Sequence, residues 1–233
     1  GVSNLSEKYK KTYDSSIDNK ENFWREVSED IFWYKKPSKI LNSLNPPFYK
    51  WFEDGVTNTC YNAVDLHIDN GRGDKTAIIY DSPITGTKYK LSYKELKEKV
   101  STFAGALKNQ GVKKGDRIII YMPMIPQAVV AMLACGRIGA IHSVVFGGFA
   151  ANELASRIDD SKAKIIISAS CGYEPGRTVH YKPLLNKAIE IAKHKPEKCI
   201  IWQREKDKAE LDPKRDIDWV EALKGAKSTE CEK

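Results

Sequence analysis

The sequence holds no run of about 18 apolar residues, so no membrane-spanning helix is expected. It has no CxxC pair among its five cysteines, Cys60, Cys135, Cys171, Cys199 and Cys231, which argues against a structural zinc site. The cysteine count is odd and the spacings are wide, so a disulfide framework is not expected and a reducing, intracellular setting fits. The N-terminal Gly1-Val2-Ser3 carries no signal-peptide pattern. Repeats and low-complexity tracts are missing. Neither a GxGxxG fingerprint nor a Walker loop occurs. His67, His142, His180 and His194 are scattered, and no Ser/His/Asp set assembles from spacing. No catalytic residue and no metal ligand is assigned. His142 lies in an apolar run and reads as a core histidine. Cys135, Met122, Met124 and Met132 likewise read as packing residues.

Negative charge is the scarcer sign: 31 Asp and Glu face 38 Lys and Arg, a net charge of +7. That balance permits a polyanionic partner such as a nucleotide or a phosphorylated cofactor. The excess is spread along the chain in short runs, as on an ordinary lysine-rich surface. No basic stripe interleaved with aromatics emerges, so nucleic acid is not an expected partner.

What is present is a chain of 233 residues with a hydrophobic fraction of 41%. That suffices for one large domain or two small ones. Residues 1–73 read as a helical N-terminal extension, rich in aromatics such as Phe23, Trp24, Phe32, Trp33 and Tyr34. Asn45-Pro46-Pro47 interrupts it, and a further helix is expected over 58–68. Residues 74–233 read as an α/β subdomain. Thr76–Tyr80 is a strand whose hairpin partner falls near Tyr89–Leu91. Ser92, with Glu95 three residues on, is a capping box. Leu96, Val100, Phe103, Ala104 and Leu107 then recur at spacings of three and four, and Gly111 ends that helix. Strands are expected at Arg117–Tyr121, Ala140–Val145, Lys164–Ser168 and Cys199–Trp202. Helices are expected at Ala128–Ile138, Asn152–Asp159 and Leu184–Ala192, with a short one near Trp219. The strands are continuous apolar runs, as parallel strands covered on both faces are. The predicted fold class is α/β, a largely parallel sheet flanked by helices.

Ligands of open α/β sheets gather beyond the carboxyl ends of the strands. Two segments there stand out. Phe146-Gly147-Gly148-Phe149 follows a strand directly. Its paired glycines suit a plain strand-to-helix turn, or a turn whose exposed N–H groups meet a ligand. Ser168–Tyr181 reads as a long loop holding Gly172, Pro175, Gly176 and Arg177. There Arg177 is either a surface arginine or a planar fork presented to a phosphate.

Order and spacing then carry a resemblance. Tyr121-Met122-Pro123-Met124-Ile125-Pro126, Met132-Leu133-Ala134-Cys135, Arg137-Ile138-Gly139-Ala140-Ile141-His142-Ser143 and Val144-Val145-Phe146-Gly147-Gly148-Phe149 form a nearly continuous block. This block resembles the AMP-forming acetyl-CoA and propionyl-CoA synthetases. Asn45-Pro46-Pro47-Phe48, Trp51-Phe52, Gly55, Asn58, Cys60-Tyr61-Asn62-Ala63 and Asp65 are similar to the propionyl-type branch.

The resemblance implies a ligase. It activates acetate or propionate with ATP to an acyl-adenylate, with Mg²⁺ assisting, and then passes the acyl group to CoA, releasing AMP and pyrophosphate. It implies the adenylate-forming fold, of whose large N-terminal domain this chain would form part. It assigns the Glu174-Pro175-Gly176-Arg177 loop to CoA near its nucleotide phosphate, and Gly148 to the tunnel for the thiol arm. Many acetyl-type members begin that loop with Arg. Here Glu174 stands in that place, leaving Arg177 as the cation. The family's TSGTTG-x-PKG phosphate loop has no counterpart in these residues. By the same resemblance, the acyl pocket, nucleotide contacts and catalytic lysine would follow Lys233, so the chain alone is expected to be inactive and to engage CoA at most. The setting implied is cytoplasmic or mitochondrial matrix, with small-molecule partners. A CoA-binding module without catalysis, or an interaction domain built on the aromatic extension, are the other classes to weigh.

Overall fold

The computed structural model describes residues 2–233. They fall into two compact units, one reaching to Asn58 together with Lys233, the other spanning Thr59–Glu232.

The first unit contains helices α1 (Val2–Asp18) and α2 (Lys20–Ser28) and a short antiparallel pair, β1 (Leu41–Asn42) with β2 (Lys50–Trp51). Its aromatics pack on one another instead of on a deep core. Trp24 meets Trp51 edge-on at 6.1 Å, and Trp33 lies 5.7 Å from Phe52.

The second unit opens with a helical segment from Thr59 that passes through two π-helical turns, Tyr61–Asp65 and Ile68–Arg72. The antiparallel hairpin β3 (Thr76–Ser82) and β4 (Thr87–Ser92) follows, and then α3 (Tyr93–Asn109). The capping box forms as expected. Ser92 Oγ accepts from the Glu95 N–H at 3.1 Å, and the Glu95 carboxylate accepts from the Ser92 N–H at 3.0 Å. Gly111 takes a φ of +87°, the left-handed turn that stops the helix.

The remaining elements are β5 (Arg117–Tyr121), α4 (Pro126–Arg137), β6 (Ile141–Val144), α5 (Ala151–Ser161), β7 (Ile165–Ala169), β8 (Cys171–Glu174), β9 (Arg177–His180), α6 (Tyr181–Ile191), β10 (Lys198–Trp202), β11 (Asp216–Asp218) and α7 (Trp219–Leu223). Five of these strands form one sheet, in the order β11-β10-β7-β5-β6, with every pairing parallel.

Period-two alternation divides the sheet residues between two cores. Ile118, Ile120, Ile165, Ile167 and Ile200 pack with the α3 and α4 side chains. Ile119, Tyr121, Ile166, Cys199 and Ile201 pack with those of α5 and α6. Phe103 of α3 is fully buried and stacks on Trp219 at 3.8 Å with 9° between the rings. Burial of one such side chain stabilises by about 1.5–3 kcal/mol.

The structure corrects four sequence expectations. The 168–181 segment is not an open loop but the antiparallel hairpin β8–β9. A polar fifth strand, β11 (Asp-Ile-Asp), joins the sheet edge. His142 is exposed, not a core residue, because β6 is an edge strand flanked only by β5. Met124 is 95% exposed in the turn after β5, whereas Met122 and Cys135 are buried.

Candidate functional site

The strand order places β5 between β6, which follows it in sequence, and β7, which comes later. The chain therefore reverses its direction of travel across the sheet at β5, and crevices form outside the carboxyl ends of strands at such a switch point. A cleft of about 340 Å³ lies there, lined among others by Pro123, Phe146, Gly148, Gly172, Tyr181 and Arg204. This volume is within the range of small-molecule sites.

The paired glycines are explained by what stands beside them. A Cβ at Gly147 would run into the hydroxyl of Tyr181, which is itself buried and meets the Tyr121 ring edge-on at 5.0 Å. A Cβ at Gly148 would meet the Phe146 ring at 2.5 Å, but that ring is 70% exposed and has room to turn. Tyr121 ties the floor to the turn: its hydroxyl donates to the Phe149 carbonyl at 3.0 Å. Burial and the neighbouring Tyr181 push the Tyr121 hydroxyl up to about 12.

Of the residues assigned from sequence, Gly148 and Glu174 line this cleft. Pro175 and Gly176 form the tip of the β8–β9 hairpin, where Gly176 adopts a φ of +78°, and Pro followed by such a glycine is the type II turn arrangement. Glu174 and Arg177 face each other across that tip. Arg177 Nε donates to Glu174 Oε2 at 2.7 Å, with both side chains largely exposed.

Sequence reasoning passed over three further lining residues. Arg204, after β10, places its guanidinium 4.4 Å from the Tyr173 ring centre, a cation–π arrangement. Tyr173 also donates to Asp207 at 3.0 Å. Arg204 and Tyr173 line a second cleft of about 420 Å³ as well, together with Tyr80, Tyr89 and Trp202. Burial holds the hydroxyls of Tyr173 and Tyr181 above the usual tyrosine range, so both remain proton donors near neutrality. The Pro-Gly pair between two short β-prone stretches was the available signal for the hairpin. No local signal marked Arg204. The arrangement suits binding: an apolar floor, glycine backbone, tyrosine hydroxyls and one stacked guanidinium.

A model of the family described as AMP-binding enzyme matches residues 67–230. The chain belongs to the AMP-binding enzyme family. A second model, acetyl-coenzyme A synthetase N-terminus, matches residues 9–63 of this AMP-binding chain. A mitochondrial acyl-CoA synthetase short-chain family member 3 of Rattus norvegicus is 54% identical over 224 residues, covering 96% of this chain and 33% of the relative. The acetyl-coenzyme A synthetase of Streptomyces coelicolor is 45% identical over 203 residues, 87% of this chain and 31% of the relative. The acetoacetyl-CoA synthetase from Streptomyces lividans superposes with a TM-score of 0.81 at 23% identity, over 94% of this chain and 33% of that one, and shares the fold. The chain thus spans about a third of the length of these relatives. Within the AMP-binding fold, two groups of the residues that carried the resemblance come together. The Tyr121–Pro126 and Val144–Phe149 segments border the switch-point cleft, while Asp65 and Arg137 form an ion pair elsewhere.

Proposed function

We propose that this chain is the CoA-facing portion of an acyl-CoA synthetase that activates acetate or propionate with ATP, Mg²⁺ assisting, and transfers the acyl group to CoA. The observation that carries this reading is the switch-point cleft, in which Gly148, Tyr181 and Arg204 converge in a chain of the AMP-binding family. A cleft floored by glycine backbone and apolar side chains suits an extended thiol arm. Cationic Arg204 and Arg177 suit a nucleotide phosphate. Gly148 would admit the arm, and the Glu174-Pro175-Gly176-Arg177 hairpin tip would meet the phosphate end. ATP, Mg²⁺ and the carboxylate are assigned to the whole enzyme, and CoA to this chain. This reading carries with it a reducing intracellular setting, cytoplasmic or mitochondrial, which the reaction class supports.

The test is carboxylate-dependent ATP–pyrophosphate exchange by the protein made from the whole reading frame, comparing acetate, propionate and butyrate. Exchange with acetate or propionate is the expected outcome. A correctly folded protein that exchanges with no acid would overturn the reading and leave a CoA-binding module in its place.

A further inference from the structure

Away from the cleft, behind α3 and α4, lies a buried polar cluster. Arg137, the last residue of α4, is fully buried and grips Asp65 with two hydrogen bonds, from Nη1 at 2.8 Å and from Nη2 at 3.1 Å. Its Nη1 also points at Cys60 Sγ, 3.5 Å away. Cys231 Sγ lies 3.9 Å from the same Asp65 carboxylate. The two sulfurs and a carboxylate oxygen all fall within 4.8 Å of one another. Cys60 is buried and Cys231 half-buried.

Cys231 reaches this place on a strap, residues 227–232, that is tied to α3 and α4 by two backbone bonds and one from a side chain. The Thr229 N–H donates to the Ser101 carbonyl at 3.2 Å, Arg137 Nε donates to the Thr229 carbonyl at 2.5 Å, and the Glu232 N–H donates to the Arg137 carbonyl at 2.7 Å. The crossing needs Gly105, where a Cβ would run into the Lys227 carbonyl.

Two thiols and a carboxylate are also the start of a divalent-metal site. Arg137 argues against that use, since its guanidinium already holds both carboxylate oxygens and touches Cys60, a fixed cation where the ion would sit. The local charges favour a thiolate instead. Asp65 is met by both Arg137 and Lys97, the latter at 3.5 Å, so the cluster accommodates a second negative charge. The hydrogen bond from Cys231 and the Arg137 guanidinium hold the Cys60 thiol below its usual range, while Cys231, as the donor, is pushed up.

We propose that Cys60 and Cys231 are a redox pair that hydrogen peroxide converts into a disulfide, fastening the 227–232 strap to the helical segment at Cys60. The Cys60 thiolate attacks one peroxide oxygen. An S–O bond forms, the O–O bond breaks, and the departing hydroxide takes a proton to leave as water. The Cys231 thiol then attacks the Cys60 sulfur, its proton passing to the departing hydroxyl. The S–S bond forms, the S–O bond breaks, and the second oxygen leaves as water. The two sulfurs give up two electrons, which the peroxide oxygens take. In reducing compartments such pairs are sensors, not permanent staples.

The test treats the folded chain with hydrogen peroxide, alkylates the remaining thiols and maps the digest by mass spectrometry. The expected product is one cross-linked peptide joining Cys60 to Cys231, two hydrogens lighter than the separate peptides and restored by dithiothreitol. Cys60→Ser and Cys231→Ser should each abolish it. Gly105→Ala, which forces the strap off α3 without touching either sulfur, should lower its yield at least tenfold. Circular dichroism on each variant establishes that the fold is kept. The proposal is overturned if Cys231 is oxidised to a sulfinic acid while Cys60 stays a thiol. It is also overturned if the reduced chain retains one equivalent of added Zn²⁺ that blocks oxidation, which would make the cluster a metal site.

Discussion

At the scale of single residues, the hairpin tip offers a direct test of CoA recognition. Arg177 spends its charge on Glu174 in the free chain. An exposed ion pair of this kind contributes about 0–1 kcal/mol, so a phosphate can displace the carboxylate. Glu174→Gln removes the competitor and should tighten CoA binding by about two- to fivefold, the equivalent of 1 kcal/mol or less. Arg177→Ala should weaken CoA, and should weaken a CoA lacking its 3′-phosphate less. Titration calorimetry with both ligands separates the cases, and equal losses for the two would show that Arg177 does not read that phosphate. The adjacent glycines make a second contrast. Gly147→Ala presses on Tyr181, held on both sides, and should cost about 1–3 kcal/mol in urea unfolding. Gly148→Ala presses only on the exposed Phe146 ring and should leave stability nearly unchanged while weakening CoA. Equal destabilisation by the two substitutions would show that Phe146 is as fixed as Tyr181.

At the scale of elements, legibility followed how local each cause is. The α3 capping box lies within four consecutive positions and was read directly. The buried strands announced themselves by apolar runs. β11 did not, because Asp216 and Asp218 are polar and its place in the sheet is set by long-range ties. Asp216 is held by Lys182 at 2.6 Å and Arg215 at 2.9 Å, a buried cluster that joins β11 to α6. His142 was misread for a related reason, since apolar neighbours in sequence do not tell whether a strand lies at the edge of its sheet, and Met124 because it stands in the turn after β5, open to solvent. Burial pushes the Asp216 carboxyl up, but the hydrogen bonds from Arg215 and Lys182 outweigh it, and the group titrates below the ordinary aspartate range. A depressed folded-state pKa contributes stability that is fully present above the unfolded value, near 3.9, and is lost as pH falls through the folded one. Thermal melts between pH 5 and pH 2 should therefore show a loss of stability that Asp216→Asn reduces. An unchanged pH slope in the variant would show that other carboxylates carry the effect.

At the scale of the whole molecule, the site was legible in part. The direction of the sheet told where a cleft would lie, and the glycine pair marked one wall. Arg204 could not be placed, because what brings it to the cleft is the pairing of β10 with β7 and the stacking on Tyr173. The same topology argues for a division of labour between binding and catalysis. The cleft supplies backbone, tyrosine hydroxyls and arginine, but no backbone-rich Ser/Thr/Gly loop able to surround a triphosphate. Stabilising a transferring adenylyl group needs many donors fixed in place beforehand, whereas holding CoA needs an apolar groove and one or two cations. The 233-residue chain should therefore bind CoA saturably in calorimetry, give no acetate-dependent pyrophosphate release from ATP, and lose CoA affinity on Arg204→Ala. Pyrophosphate release by this chain would show that adenylation chemistry resides in these residues after all. Failure to bind CoA, in a folded chain, would show that the cleft is completed only by residues outside it.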